Sequence, residues 1–148
     1  MVSTGIEPVA DVQLKFHELQ KDHKLAWVVL QLSKKSEKSR NFDQISVDCV
    51  GETGSTFAEL VEKLPKGTAR FVIYDCKYQG KDGQEKAKVA LINWCDENAT
   101  TKEKLMSASG LDTLKKKFGS ALHCYFDIHE HDELTEKNIM EIVKDKCR

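Results

Sequence analysis

Residues 70–95 read RFVIYDCKYQGKDGQEKAKVALINWC, and this stretch decides the fold class. Two runs within it, 70–78 and 88–95, are rich in β-branched and aromatic residues and predict buried strands. The segment between them, 79–83 (QGKDG), has the glycines and the aspartate that a tight turn requires. The centre of the chain is therefore predicted to be an antiparallel hairpin around which the other elements are arranged.

The segments on either side of this hairpin alternate between strand and helix patterns. Apolar residues at spacings of three and four predict helices, and short apolar or alternating runs predict strands. The predicted elements are helix 8–21, strand 25–32, strand 45–50, helix 56–64, the central hairpin, helix 101–118, strand 121–128 and a helix from Thr135. The order αββαββαβα predicts one α/β (α+β) domain over residues 1–148, with a mixed central sheet and helices on both faces.

Composition limits the classes of function. The chain has 148 residues, of which 40% are hydrophobic and 32% charged, which suits one domain with its own core. Its 23 Lys and Arg against 24 Asp and Glu give a net charge of -1, whereas a dedicated nucleic-acid binder carries a basic excess. No run of 18 apolar residues is present and the start lacks signal-peptide features, so we expect no membrane-spanning segment.

The five cysteines, at positions 49, 76, 95, 124 and 147, show no paired spacing of the kind that zinc sites use. Four of them lie in or beside apolar runs, where a thiol behaves as a small hydrophobic group. We therefore expect reduced thiols and a cytosolic protein.

The sequence contains no recognisable catalytic or cofactor-binding motif. The segment His129-Glu130-His131-Asp132 is either a metal or acid–base cluster or a solvated loop before a helix, and a zinc site would need two further ligands. His123 and Cys124 are adjacent in a predicted strand, so their side chains point to opposite faces and cannot act as a pair. We expect no enzymatic activity, no cofactor and no metal.

The long helix 101–118 has apolar residues on two faces. Its predicted core face consists of Ser107, Leu111, Leu114 and Phe118, which fall within one arc at ~100° per residue. Leu105 lies nearly opposite this arc and Met106 at the edge of the outward side, among Lys102, Ser109, Asp112, Thr113 and Lys116. An apolar step among lysines indicates a partner surface, although single exposed apolar residues are also ordinary.

Several motifs resemble the ADF/cofilin family of actin-depolymerising proteins. Residues 102–109 (KEKLMSAS) and 114–118 (LKKKF) resemble the family's long-helix motif. Phe57, Leu64-Pro65 and residues 70–75 (RFVIYD) resemble its second block, and Trp94 stands where the family has the tryptophan that ends its central strand. Ser3 and Gly5-Ile6 are similar to its N-terminal tail. The resemblance covers essentially the whole chain and implies the actin-depolymerising-factor homology fold.

The resemblance also implies a function. Members of the family bind actin monomers and filaments, favour the ADP form, sever and depolymerise filaments, and are not enzymes. Carried over by position, the surface for both forms of actin consists of Ser3, Thr4, Gly5, Ile6, Lys102, Lys104, Leu105, Met106, Ser109, Asp112 and Lys116. The filament-specific surface consists of Lys86, Lys88, Glu141 and Lys144. The implied protein is a monomer of the cytoplasm and cytoskeleton.

Three regulatory features follow from the same resemblance and from basic segments. The family tail makes Ser3 a phosphorylation site. Inhibition by phosphoinositides, as in the family, would use Lys115, Lys116, Lys117 and His123, with protonation of His123 strengthening lipid binding. The basic loop 34–40 is either a nuclear-import signal or a solvated hairpin tip.

The sequence departs from the family pattern at four places and leaves two alternatives open. Thr4 is inserted between Ser3 and Gly5, Ser107 stands where the family has a tyrosine, Gly110-Leu111 replaces a Ser–Lys pair, and Cys95-Asp96 replaces Ala-Pro. Residues 78–79, 82–83 and 133–136 resemble the glia maturation factor branch of the fold, which debranches filaments by acting on the branched-actin nucleating complex. The second alternative is an unrelated small-ligand or lipid-binding domain of mixed sheet type.

Overall fold

A computed structural model describes residues 6–146. The elements follow the predicted order with one short strand added at the start. They are β1 (Glu7–Pro8), α1 (Ala10–Gln20), β2 (Leu25–Ser33), β3 (Gln44–Glu52), α2 (Phe57–Glu62), β4 (Ala69–Gln79), β5 (Glu85–Cys95), α3 (Thr101–Phe118), β6 (Cys124–Ile128) and α4 (Glu136–Lys146). Short 3-10 turns at Gly119–Ala121 and His131–Glu133 flank β6.

The six strands form one mixed sheet in the order β1-β3-β2-β4-β5-β6. The four central strands are antiparallel, and the two hairpins β2–β3 and β4–β5 supply them. The outer pairs, β1 with β3 and β5 with β6, are parallel. A parallel neighbour requires a crossover connection, and α3 supplies it between β5 and β6. The predicted mixed sheet is confirmed.

Helices cover both faces of the sheet, as predicted. One core lies between the sheet and the pair α1 and α3, where the rings of Phe16 and Phe118 stack with centroids 3.9 Å apart. The other lies under α2 and α4 and contains Trp94, Leu60 and Ile139. Within residues 6–146 no helix is long and apolar enough to cross a bilayer.

Threonine hydroxyls begin three of the helices. The side chains of Thr56, Thr100 and Thr135 each accept a hydrogen bond from the backbone N–H three residues later, at 3.1–3.2 Å. Such N-caps satisfy a donor that the first turn leaves free. They explain why the predicted starts of α2, α3 and α4 lie within one residue of the observed ones.

Two predicted boundaries and one burial pattern are wrong. Pro8 was predicted in the first turn of a helix, but it lies in β1 opposite Ile45, and α1 begins after Val9. The strand predicted from residue 121 begins at Cys124, because the chain first makes a 3-10 turn. The alternation predicted for 45–50 is interrupted at Asp48, where the pairing of β2 with β3 shifts by one residue.

The core face of α3 is rotated from the predicted one. Gly110 is buried together with Ser107, Leu114 and Phe118, whereas Leu111 is only half-buried. A Cβ at Gly110 would lie 2.7 Å from Cζ of Phe71, so the missing side chain lets the helix approach the sheet closely. A pattern of apolar residues cannot reveal this contact, because the residue that makes it has no side chain.

Candidate functional site

The exposed face of α3 carries one large apolar side chain between lysines. Leu105 is 63% exposed, and the adjacent Lys104 and nearby Lys102 are exposed as well. The outward position predicted for Leu105 is confirmed. Met106 is half-buried and packs against the core, which agrees with its predicted position at the edge of the outward side, and its contact with actin stays a prediction. We refer to Lys102, Lys104 and Leu105 as the α3 surface.

A chain of hydrogen bonds fixes the position of α3 behind this surface. The buried Ser107 hydroxyl donates to Oδ1 of Asn93 at 2.7 Å, and Nδ2 of Asn93 donates to Oδ1 of Asp127 at 3.0 Å. Satisfied buried polar groups of this kind specify one packing arrangement. The chain links α3 to β5 and β6, so the helix presents Leu105 from a rigid base.

Lys102 also contacts the loop between β2 and β3. Its Nζ donates to the carbonyl oxygen of Arg40 at 3.1 Å and lies 5.9 Å from the ring centroid of Phe42. No local sequence pattern indicates this contact, since Lys102 and Arg40 are 62 positions apart. The loop 34–43 therefore borders the α3 surface.

The second half of α3 does not present its lysines as one cluster. Nζ of Lys115 lies 3.8 Å from the ring centroid of Tyr125, while Nζ of Lys116 pairs with Asp112 at 3.0 Å. The two lysines therefore have different partners, and the phosphoinositide site at 115–117 stays a prediction. Lys117 is exposed.

His123 is held in its neutral form. Its Nδ1 accepts a hydrogen bond from the backbone N–H of Val89 at 2.9 Å. Burial lowers the pKa of His123, and the nearby charge of Lys88 lowers it further. Protonation of Nδ1 would break the hydrogen bond, which opposes charging of the ring, and the strengthening of lipid binding by this histidine stays a prediction.

A second basic region lies at the β4–β5 hairpin. Lys86, Lys88 and Lys144 line a cavity of about 650 Å³ together with Tyr78 and Lys81, and we call this the hairpin pocket. Nζ of Lys144 is 5.4 Å from the ring centroid of Tyr78. Three of the four predicted filament-specific residues thus come together, and Glu141 is exposed on α4 outside the pocket lining.

The N-terminal candidates divide into two groups. Ser3, Thr4 and Gly5 lie outside the described residues. Ile6 is only 3% exposed and belongs to the core under α1 and α3. Its side chain was predicted to contact a partner, but the structure uses it for packing.

The histidines of the segment 129–132 have structural contacts. Nδ1 of His129 hydrogen-bonds with the carbonyl oxygen of Cys95 at 2.9 Å, and the His131 ring packs edge-on against Trp94. In the part of the chain from 6 to 146, no three His, Cys, Asp or Glu side chains are grouped as metal ligands. The thiols of Cys76, Cys95 and Cys124 are buried, Cys49 is half-buried, and Cys147 lies outside the described residues.

Asp96 explains one departure from the family pattern. Its carboxylate accepts hydrogen bonds from the backbone N–H groups of Gly67 at 2.6 Å and Asn98 at 3.0 Å. These bonds lower the pKa of Asp96. The carboxylate joins the turn before β4 to the loop before α3, a connection that a proline could not make.

A family described as "Cofilin/tropomyosin-type actin-binding protein" matches residues 5–144. The chain belongs to this family. Among curated relatives it is 29% identical to Cofilin-1A of Dictyostelium discoideum over 78% of this chain and 79% of that protein. It is 29% identical to actophorin of Acanthamoeba castellanii, and the match covers 77% of this chain and 78% of actophorin. It is 22% identical to actin-depolymerizing factor 2 of Zea mays, and that match covers 97% of this chain and 96% of the relative.

Solved structures show the same cofilin fold. Cofilin of Streptomyces griseoflavus superposes with a TM-score of 0.81 at 17% identity, covering 95% of this chain and 98% of that one. Actin depolymerization factor 2 of Plasmodium berghei superposes with a TM-score of 0.80 at 18% identity, covering 98% of this chain and 99% of that one. The predicted family and fold are confirmed, and the alternative of an unrelated small-ligand or lipid-binding domain is excluded.

Proposed function

We propose that this cofilin-family chain binds actin monomers through the α3 surface and filaments through the α3 surface and the hairpin pocket together. Binding to both forms would promote severing and depolymerisation and so drive actin turnover. The observation that carries the proposal is Leu105, which is 63% exposed on a helix whose other face is fixed in the core.

Exposed apolar residues between positive charges suit a partner that offers an apolar recess with an acidic rim. The apolar residue supplies affinity when it is desolvated at the centre of the contact. The rim charges of Lys102 and Lys104 act on the association rate and on its salt dependence. Asp112 and Lys116 neutralise each other further along the helix, so their contribution is smaller.

The hairpin pocket supports a second, separate contact. Its lysines come from the hairpin turn, from β5 and from α4, the ammonium group of Lys144 lies over the ring of Tyr78, and Asp82 is the acidic residue in the lining. Two non-overlapping surfaces allow one chain to touch two subunits of a filament, whereas a monomer engages only one. This division matches the filament-specific role that the family resemblance gives to Lys86, Lys88 and Lys144.

Leucine substitutions test the α3 surface with a matched control. Leu14 on α1 is 61% exposed, close to the exposure of Leu105, and lies outside both surfaces. We expect Leu105→Ser to weaken binding to ADP-actin monomers about tenfold or more, as for a residue at the centre of an interface. Leu14→Ser should bind like wild type. Equal affinities of the two variants would contradict the assignment.

Co-sedimentation with actin filaments tests the activity itself. Wild type should pellet with filaments and increase the actin left in the supernatant. A chain that leaves filaments intact but releases branches in the presence of the branched-actin nucleating complex would support the glia-maturation-factor alternative instead.

Regulation of the proposed activity would involve Ser3. A phosphate adds a charge of roughly -1.5 to -2 at a tail expected to dock in neutral form. We expect Ser3→Glu to lose depolymerising activity, while Ser3→Ala keeps it. Normal depolymerisation by Ser3→Glu would remove this regulation, and the same pair at Thr4 tests whether the inserted residue serves as the site.

Phosphoinositides are the second proposed regulator. Lys117 and the hairpin pocket offer exposed positive charge to an anionic headgroup, at about 1 kcal/mol for each basic residue near a membrane surface. Vesicles with phosphatidylinositol bisphosphate should sediment wild type more than Lys117→Glu.

The same family membership leads us to place the protein in the cytoplasm, at the cytoskeleton, as a monomer. The basic loop 34–40 is the candidate nuclear-import signal, and a fusion of these residues to a reporter protein tests it.

A further inference from the structure

One carboxylate organises the loop between β2 and β3. Oδ1 of Asp43 accepts the backbone N–H of Lys35 at 2.7 Å, and Oδ2 accepts the hydroxyl of Ser39 at 2.7 Å. These hydrogen bonds, that of Ser39 first, lower the pKa of Asp43, so the carboxylate is ionised at neutral pH. The loop is therefore closed by a charged acceptor that needs the Ser39 proton.

The same loop is attached to α3 one residue further on. Arg40 follows Ser39 directly, and its carbonyl oxygen accepts the hydrogen bond from Nζ of Lys102 at 3.1 Å. Phe42 lies beneath the same ammonium group at 5.9 Å. The conformation of Ser39 thus determines where an acceptor for Lys102 is placed.

The loop also has the charge pattern of a substrate for a kinase with an acidic cleft. Lys34, Lys35, Lys38 and Arg40 surround Ser39 in the sequence, with Glu37 as the acidic residue among them. The segment has no regular secondary structure and the four basic side chains are exposed. Complementary charge favours encounter with a negatively charged active site.

We propose that Ser39 is a phosphorylation site that controls how the loop holds Lys102. In the reaction Oγ of Ser39 forms a bond to the γ-phosphorus of ATP, the bond to the ADP oxygen breaks, and the hydroxyl proton passes to the base of the kinase. The modified residue then has no proton to donate to Asp43. A phosphate carrying about -1.5 to -2 would face that ionised carboxylate, and the repulsion opens the loop.

Opening changes the surroundings of Lys102 in two ways. The carbonyl of Arg40 moves away, and a phosphate becomes available nearby as a stronger, charged acceptor. Either change alters the surroundings of a lysine that belongs to the α3 surface. The consequence for actin rests on the proposed function, whereas the change at Lys102 does not.

Two serines of the loop provide a matched pair. Ser36 is exposed and its hydroxyl accepts the backbone N–H of Lys38, without a contact to Asp43. Ser36→Glu and Ser39→Glu therefore add the same charge to the same loop, but only the second removes the hydrogen bond to Asp43. Circular dichroism spectra of both variants establish that they are folded.

The test has three measurements on the whole chain. The first is incubation with ATP and the catalytic domain of a basophilic kinase, followed by mass spectrometry. We expect phosphate on Ser39. Phosphate confined to Ser36 would overturn the proposal. The acetylation rate of Lys102 should change at least about two-fold in Ser39→Glu and in the phosphorylated wild type, the scale of one hydrogen bond. Unchanged rates in both, or an equal change in Ser36→Glu, would overturn it.

Affinity for actin monomers is the third measurement. Ser39→Glu should bind roughly two- to five-fold more weakly than Ser36→Glu, the range for an exposed ion pair. An equal affinity would overturn the link to the α3 surface. Failure of wild type itself to bind actin would count against the proposed function, and the acetylation result would still decide the role of Ser39.

Discussion

The two basic regions of this molecule are built in opposite ways. On the α3 surface the lysines follow one helix, and Lys102 takes its partners from the loop 34–43 beside it. In the hairpin pocket the lysines come from the turn before β5, from β5 and from α4, and Lys144 lies over the ring of Tyr78. The first region is a ridge with an apolar centre, and the second is a concave basic cavity of about 650 Å³.

The difference is the basis of the division of roles proposed above. A ridge with one exposed leucine can insert into a recess on a single partner molecule, which suits monomers and filaments alike. A concave basic site requires a protruding acidic group, and a second subunit of a filament could offer one. Substitutions should therefore separate monomer binding from filament binding.

The largest expected effect comes from substitutions in the α3 surface. Lys102→Ala with Lys104→Ala should abolish binding to ADP-actin monomers while the fold is kept, because both charges beside Leu105 are removed. Isothermal titration with monomers measures the loss. The control is Lys21→Ala with Lys24→Ala, two exposed lysines at the end of α1. Affinity within a factor of about two of wild type would show that the α3 surface is misassigned.

The pocket should give a smaller and selective effect. Lys144→Ala removes the ammonium over Tyr78, and we expect filament affinity to fall about five-fold, equivalent to ~1 kcal/mol for a cation–π contact and a rim charge. Monomer affinity should not change. Lys137→Ala on the same helix is the control, since Lys137 is exposed and outside the pocket lining. If Lys144→Ala weakens monomer binding to the same extent as filament binding, the two regions act as one binding site.

Gly110→Ala tests whether the ridge depends on the close approach of α3 to the sheet. Alanine is the better helix former by ~1 kcal/mol, but its Cβ would lie 2.7 Å from Phe71. Overpacking should prevail and lower the free energy of unfolding by ~1–3 kcal/mol in urea denaturation. Ala108→Gly, on the exposed side of the same helix, gives the propensity cost alone. A stabilised Gly110→Ala would show that the contact relaxes without cost.

The smallest effect concerns His123, beside Lys88 of the pocket. A histidine whose folded pKa is depressed stays neutral while the unfolded chain takes up a proton. Its contribution to stability is therefore complete above the unfolded pKa near 6.5 and is lost as pH falls through the folded value. Proton NMR should show its midpoint below 6.5, and His123→Ala should flatten the decline of stability below that pH. A midpoint at or above 6.5 would contradict the neutral form seen here.

Sequence patterns predicted those features of the structure that depend on residues close together in the chain, such as the ends and the exposed face of a helix. The bounds of α3 agree with the prediction because a capping threonine precedes it and Gly119, at φ 53°, ends it. The helical period also placed Leu105 outward. The start of α1 was wrong because Pro8 pairs with Ile45, and the irregularity at Asp48 arises from the register of β2 against β3.

The candidate site depends even more on contacts between residues that are distant in the sequence, which local patterns do not predict. The lysines of the hairpin pocket were identified by resemblance, but nothing in the sequence indicated that Tyr78 lies between them. The contact of Lys102 with Arg40 joins distant positions through a loop of no regular structure. The burial of Ile6 was missed because a short terminal strand gives almost no periodic signal.

The parallel pairing of β6 with β5 also makes the complete sheet depend on the crossover through α3. The two hairpins pair strands that are neighbours in the chain, whereas β2 with β4 and β5 with β6 pair strands that are separated by a helix. β6 has one neighbour in the sheet and reaches it only after the chain has crossed the face that α3 covers. Its contacts are of longer range than those of either hairpin, as are those between β2 and β4, and such contacts form more slowly. The helix that carries Leu105 is the crossover through which β6 joins the sheet, so a chain in which α3 has not docked lacks the α3 surface.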